Sequence, residues 1–174
     1  MSLDNTLRRL IREVPNFPKP GIRFQDITPV LQDPIAFNGV IETFANLQAA
    51  KEADVIAAFD ARGFLFGAPL AVHMKKPLSL IRKKGKLPYS TISQGYDLEY
   101  GSATVEMHID AVIVDDGVFL IDDLLATGGT ARAGCQLVET LGGVVTGLGF
   151  VIELKDLGGR EILSDFPITS LVAY

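Results

Sequence analysis

Residues 118–130 read Val118-Phe119-Leu120-Ile121-Asp122-Asp123-Leu124-Leu125-Ala126-Thr127-Gly128-Gly129-Thr130. No other stretch narrows the possible folds as much. A short apolar run bounded by turn residues suits a strand buried on both faces of a parallel sheet. The Thr-Gly-Gly-Thr turn that follows opens a helix. In an α/β fold such a strand-turn-helix aims free backbone N–H groups at a point beyond the strand's C-terminal edge, where an anion binds. The hydroxyls of Thr127 and Thr130 add donors there. Charge-assisted hydrogen bonds are each worth roughly 1.5 to 3 kcal/mol, so several converging on one phosphate make a strong anchor.

Asp122 and Asp123 ask for something else. Ionised carboxylates only accept hydrogen bonds, so beside an anion site they call for a ligand that carries hydroxyls as well as phosphate, or for a metal. A ribose 5-phosphate meets both demands. The plain alternative is an aspartate pair capping a helix and a Gly-Gly turn. Two rival phosphate motifs are absent: the chain has neither G-x-x-x-x-G-K-[ST] nor G-x-G-x-x-G after a strand.

The rest of the chain repeats the strand-then-polar-loop pattern. Val55-Ile56-Ala57-Ala58-Phe59 is a strand candidate that runs into Asp60-Ala61-Arg62-Gly63-Phe64 and a small-residue helix over residues 65–73. Pro77-Leu78-Ser79-Leu80-Ile81 is another, ending in Arg82-Lys83-Lys84-Gly85-Lys86, with four cations in five residues. That cluster is either a solvated basic turn or an anion site. Residues 144–151 and 168–174 supply further strands. Val112-Ile113-Val114-Asp115-Asp116-Gly117 imitates the main motif, but no Thr-Gly-Gly turn follows it, so it reads as a turn before the true one. Upstream, Leu3, Leu7, Leu10, Ile11 and Val14 predict an amphipathic helix, and residues 15–29 with Pro15, Pro18, Pro20 and Gly21 predict a stiff loop. Asp33 before Pro34 caps a helix whose stripe is Phe37, Val40, Ile41, Phe44 and Leu47. Residues 87–101 lack apolar period and read as a mobile loop, whose flanks form a β ribbon with Val105, Met107 and Ile109 on one face and Thr104, Glu106 and His108 on the other. The expected fold is therefore α/β, a mostly parallel sheet flanked by helices. It carries a small N-terminal hood over about residues 1–33 and a flexible loop and ribbon over about residues 82–109, within one domain spanning residues 1–174.

Composition excludes some functions. A chain of 174 residues with 48% hydrophobic content can bury one domain's core, and its net charge of −5 argues against holding a nucleic-acid backbone or an anionic membrane. The longest apolar stretches are too short to span a bilayer, and the polar start is unlike a signal peptide. The single Cys135 reads as a reduced packing thiol in a cytoplasmic protein. His73 and His108 have no metal-ligand spacing.

The run at Asp122 resembles the diphosphoribosyl-binding motif of type I phosphoribosyltransferases, and residues 124–130 resemble its form in the adenine phosphoribosyltransferase family. Four further segments agree with that family. Pro15-Asn16-Phe17-Pro18-Lys19-Pro20-Gly21-Ile22-Arg23-Phe24-Gln25-Asp26-Ile27-Thr28 is similar to the segment that covers the purine. Asp60-Ala61-Arg62-Gly63-Phe64 is similar to its D-S-R-G-F loop, with Ala61 for the usual Ser. Arg82-Lys83-Lys84-Gly85-Lys86-Leu87-Pro88 is similar to R-K-x-G-K-L-P, and residues 153–163 to the segment flanking the purine pocket. Resemblance covers nearly the whole chain.

It implies transfer of the 5-phosphoribosyl group from phosphoribosyl diphosphate to adenine, giving AMP and pyrophosphate in purine salvage, by a homodimer. By resemblance Asp122, Asp123, Ala126, Thr127, Gly128, Gly129 and Thr130 hold the phosphoribosyl group. Asp60, Ala61, Arg62, Arg82 and Lys86 hold pyrophosphate, Arg82 or Lys86 across the dimer interface. Arg23, Phe24, Gln25, Leu124 and Ala126 line the adenine site, and Glu99 handles the proton at the purine ring. Magnesium is expected on the substrate, near Asp122 and Asp123, with no direct protein ligand set. The resemblance also implies a cis peptide at Asp60-Ala61. Gln25 replaces a usual Arg, which leaves Glu99 without a nearby cation. Two other functions stay open at this point. One is a transferase for hypoxanthine, guanine, xanthine or a pyrimidine, and the other is a nucleotide-sensing regulator that binds RNA or DNA.

Overall fold

The computed structural model describes residues 2–98 and 101–174. Helix α1 (Leu3–Leu10) starts at Ser2, whose hydroxyl accepts from the Asn5 N–H, and stops where Ile11 turns extended. The expected continuation to Val14 is not helical. Instead β1 (Arg12–Pro15) pairs antiparallel with β2 (Arg23–Asp26), Arg12 opposite Asp26 and Pro15 opposite Arg23. The stiff loop expected over residues 15–29 thus contains a strand. Its prolines do not prevent this, because Pro15 ends one strand and Pro18 and Pro20 lie in the connection, where no ladder N–H is needed. Arg12 binds Asp26 at 2.6 Å across the pair, and the rings of Phe17 and Phe24 meet edge to face at 5.2 Å.

After α2 (Thr28–Gln32), α3 (Pro34–Ala45) begins as the sequence predicts. Asp33 accepts from the Ile35 and Ala36 N–H groups, both at 3.0 Å, and Pro34 occupies the first turn. Then follow α4 (Gln48–Glu52), β3 (Val55–Phe59), α5 (Gly63–Met74), β4 (Leu78–Lys83), β5 (Thr91–Leu98), β6 (Gly101–His108), β7 (Gly117–Leu125), α6 (Gly129–Thr140), β8 (Val144–Glu153), a 3-10 turn at Lys155–Leu157, α7 (Gly159–Ile162) and β9 (Ile168–Ala173). Among the described residues, seven strands form one sheet in the order β5-β6-β4-β3-β7-β8-β9. The five from β4 to β9 are mutually parallel, and the β5–β6 ribbon joins β4 antiparallel through Arg82 opposite Glu106.

The ribbon corrects a second expectation. Most of residues 87–101 is strand, with Thr91 opposite His108 and Tyr96 opposite Ala103. Ile92 and Tyr96 do lie at strand spacing and pack on the core, but Gln94 and Gly95 between them hide the alternation. Alternation sorts the main core between the two faces. Ile56, Ala58, Phe119 and Ile121 face α1, α3 and α5 with Leu7, Val40, Phe44 and Phe66, whereas Val55, Ala57, Phe59, Val118 and Leu120 face α6 with Cys135, Leu137 and Val138. Buried Cys135 is a packing thiol as expected, its pKa pushed up to about 12 by burial. Among the described residues no helix is long and apolar enough to cross a membrane. The parallel strands bring the loops after β3, β4 and β7 to one edge of the sheet, which is where the site lies.

Candidate active site

Helix α6 carries the anion-binding end. Its cap is Gly128, left-handed at φ 83°, and no side chain caps its first turn, so the leading N–H groups stay free for a ligand. Only glycine fits at position 128. A Cβ there would lie 2.7 Å from the Gly159 carbonyl oxygen, so the loop needs both the left-handed conformation and the space. Asp122, Leu124 through Ala131 and Phe150 line the resulting cleft.

A second cleft opens beside it, lined by Phe59, Asp60, Ile81, Lys83, Tyr96, Val105, Asp122 and Thr130. Asp122 and Thr130 form the wall that the two clefts share. One cleft therefore ends in a helix N-terminus and the other in the loops after β3 and β4. Lys83 and Tyr96 were missed in the sequence. Lys83 was passed over within its basic run, and Tyr96 sits in a segment read as loop.

The two motif aspartates are adjacent on β7, and their carboxyl groups stay close enough to perturb each other. Asp122 faces the clefts. Its carboxylate accepts from the Asp123 N–H at 2.8 Å and has no ion-pair partner among the described residues. Burial first, and the charge of Asp123 second, push its pKa well up. Asp123 is 3% exposed and binds Arg62 at 2.9 Å. Burial raises its pKa, and Arg62 opposes the rise. The Arg62 guanidinium also stacks over the Phe24 ring at 5.2 Å, tying the β1–β2 hood to the motif strand.

Of the pyrophosphate candidates, Arg82 links Asp60 to the Lys86 backbone, whereas Arg62 turns to Asp123 and Phe24 instead. The Asp60–Ala61 peptide is cis, as expected. Arg82 donates to the Asp60 carboxylate at 3.0 Å and to the Lys86 carbonyl at 2.9 Å, and the Lys86 side chain is exposed. Of the adenine candidates, Phe24 and Leu124 are half-buried, and Gln25 is buried at 8% exposure. Arg23 is exposed and lies 3.6 Å from Glu13. Glu99 lies outside the described residues. At the end of β8, buried Glu153 accepts a double hydrogen bond from Arg160 at 2.9 and 2.6 Å, which holds its pKa below the ordinary value.

A family model described as the phosphoribosyl transferase domain matches residues 27–161. The chain is 51% identical over 174 residues to an adenine phosphoribosyltransferase of Caldanaerobacter subterraneus subsp. tengcongensis, covering 100% of both chains. The crystal structure of adenine phosphoribosyltransferase from Thermoanaerobacter pseudethanolicus superposes with a TM-score of 0.95 at 49% identity, over 99% of this chain and 100% of that one. The Saccharomyces cerevisiae enzyme, solved in complex with an imino-altritol bisphosphate and adenine, gives a TM-score of 0.88 at 34% identity, over 97% of this chain and 98% of that one.

Proposed function

The chain belongs to the phosphoribosyltransferase family, among its adenine phosphoribosyltransferases, and from that premise we propose how its residues carry the reaction. The 5-phosphoribosyl group passes from phosphoribosyl diphosphate to adenine, giving AMP and pyrophosphate. The observation that carries the residue assignment is the wall of Asp122 and Thr130 shared by the helix N-terminal cleft and the cleft that Asp60 and Lys83 line. A ribose between a 5-phosphate and a 1-diphosphate needs a helix N-terminus on one side and cationic loops on the other, with a carboxylate between them for its hydroxyls.

The α6 cleft, formed by Ala126, Thr127, Gly128, Gly129 and Thr130, holds the 5-phosphate, and Asp122 accepts from the ribose hydroxyls. The backbone at Asp60 and Ala61 and the cations Arg82, Lys83 and Lys86 take the diphosphate; Asp60 and Lys83 line the second cleft, and the Asp60 carboxylate holds Arg82 rather than the ligand. Arg62 contributes positive charge from the hood side while it holds Asp123. The bond to the diphosphate breaks ahead of the bond to the purine, so negative charge grows on the leaving group beside the cationic turn. Positive charge grows on the ribose beside Asp122. Phe24, Gln25, Arg23, Leu124 and Ala126 enclose adenine, and Glu99 takes the proton displaced as the new bond forms.

Magnesium would be carried in with the diphosphate, with Asp122 and Asp123 near it. The donor set fits, because magnesium takes one or two carboxylates along with substrate oxygens and water, and Asp122 is the motif aspartate not already facing a guanidinium. When bound it neutralises the diphosphate and strengthens it as a leaving group. We assign a homodimer on the exposed apolar side chains of Ile35, Leu65 and Val72.

Equilibrium displacement tests the two-cleft assignment. Magnesium pyrophosphate and ribose 5-phosphate should each displace bound phosphoribosyl diphosphate, one from each cleft. Failure of either to compete would refute the assignment.

A further inference from the structure

Glu106 is a carboxylate that the pattern of β6 places on a polar face, yet it is 6% exposed. Its two oxygens are both used. One accepts from the Gly85 N–H at 2.8 Å and the other from the Ser93 hydroxyl at 3.1 Å. Gly85 sits at the bend of the basic turn with φ 78°, flanked by the Lys84 N–H, which donates to the Thr104 carbonyl at 3.1 Å, and the Lys86 N–H, which donates to the Lys83 carbonyl at 3.2 Å. Ser93 belongs to β5 and lies opposite Glu106 in the ribbon. The other end of the turn is bound too, since Arg82 donates to the Lys86 carbonyl and to Asp60.

We propose that Glu106 is a positioning residue. It holds the Lys83–Lys86 turn in the shape that meets the diphosphate and ties that turn to the β5–β6 ribbon. This rests on the reading of the turn as a pyrophosphate site. The physical ground is chain conformation. A turn carrying Arg82, Lys83, Lys84 and Lys86 repels itself and prefers to open, and an anion buried beneath its bend opposes that opening before substrate arrives. The carboxylate accepts one charge-assisted hydrogen bond from the backbone on which the cations ride and another from the Ser93 hydroxyl of β5. The cost of ordering the turn is then met by the fold rather than by the diphosphate. The same contacts connect the strand leading toward Glu99 to the leaving-group site.

Steady-state kinetics of Glu106→Ala, Glu106→Gln, Ser93→Ala and Lys86→Ala, each with a melting curve, test this. Glu106→Ala should raise the KM for phosphoribosyl diphosphate about tenfold while the KM for adenine stays within about twofold. Glu106→Gln keeps an acceptor for the Gly85 N–H and an amide for Ser93, so it should return the KM to within about threefold of wild type. Ser93→Ala, which deletes one contact only, should raise it by about threefold with an unchanged melting temperature, and it decides the matter if Glu106→Ala does not fold. The proposal is overturned if Lys86→Ala weakens diphosphate binding but Glu106→Ala and Ser93→Ala do not. It is overturned equally if Glu106→Ala raises both KM values together and Glu106→Gln fails to restore them, which is the behaviour of a merely structural residue. If Lys86→Ala also leaves the diphosphate KM unchanged, the reading of the turn as a pyrophosphate site fails, and the positioning role fails with it.

Discussion

Asp122 is the residue at which folding and the proposed ribose contact make opposite demands. Its carboxyl is half-buried and largely desolvated beside a second carboxyl, so its folded pKa lies above the unfolded value, with desolvation the larger cause. The sign follows from linkage. A raised acid binds more protons in the folded state, so stability falls as pH rises from the unfolded pKa, about 4, toward the folded one, and the loss is complete above it. Asn lacks that charge and keeps an oxygen for the Asp123 N–H. Asp122→Asn should therefore melt higher than wild type at pH 7 without ligand, the gap closing near pH 4, while its turnover falls by about tenfold or more. Melting curves across that range check it, and a variant less stable than wild type at pH 7 would contradict the account. The gain sits where a ligand's hydroxyls or its magnesium would otherwise relieve the charge. Gln25 raises a related question at Glu99. If Glu99 handles the purine proton, Gln25→Arg, which adds a cation at a position where the family usually carries one, should move the acidic limb of the rate profile to lower pH. An unmoved limb would dismiss the coupling.

At the scale of elements, the site depends on how closely α6 and its loop are held. A Cβ at position 128 would meet the Gly159 backbone and would also need a left-handed φ, so Gly128→Ala must push the phosphate loop away from α7. We expect a loss of about 1 to 3 kcal/mol in stability and a drop in kcat/KM of about a hundredfold, with phosphoribosyl diphosphate binding hit harder than adenine binding. Equal loss for both substrates would mean that the loop is not the phosphate anchor. The β5–β6 ribbon makes a different prediction. It stands at the sheet's edge above the second cleft, which Tyr96 and Val105 line, so substrate should slow amide exchange along it as it closes over the reacting carbon. Exchange that is equally slow with and without substrate would count against closure.

Across the whole molecule, what could be read in advance was local. The Asp122 run, the cap at Asp33, the strand at residues 55–59 and the helix after Gly128 each announce themselves within a dozen residues, because period, cap and turn chemistry are short-range. What escaped was set by partners far along the chain. Residues 12–15 became a strand because β2 lies opposite them, and proline in the connection hid the pairing. Arg62 reaches Asp123 and Phe24 only once α5 and the hood have packed together. Glu106 looks like a solvent-facing strand residue until Gly85 and Ser93 close over it. The central claim concerns the base that the assembled molecule accepts. Offered adenine, hypoxanthine and guanine together with phosphoribosyl diphosphate and magnesium, the protein should form AMP almost alone; IMP or GMP at a comparable rate would contradict the account.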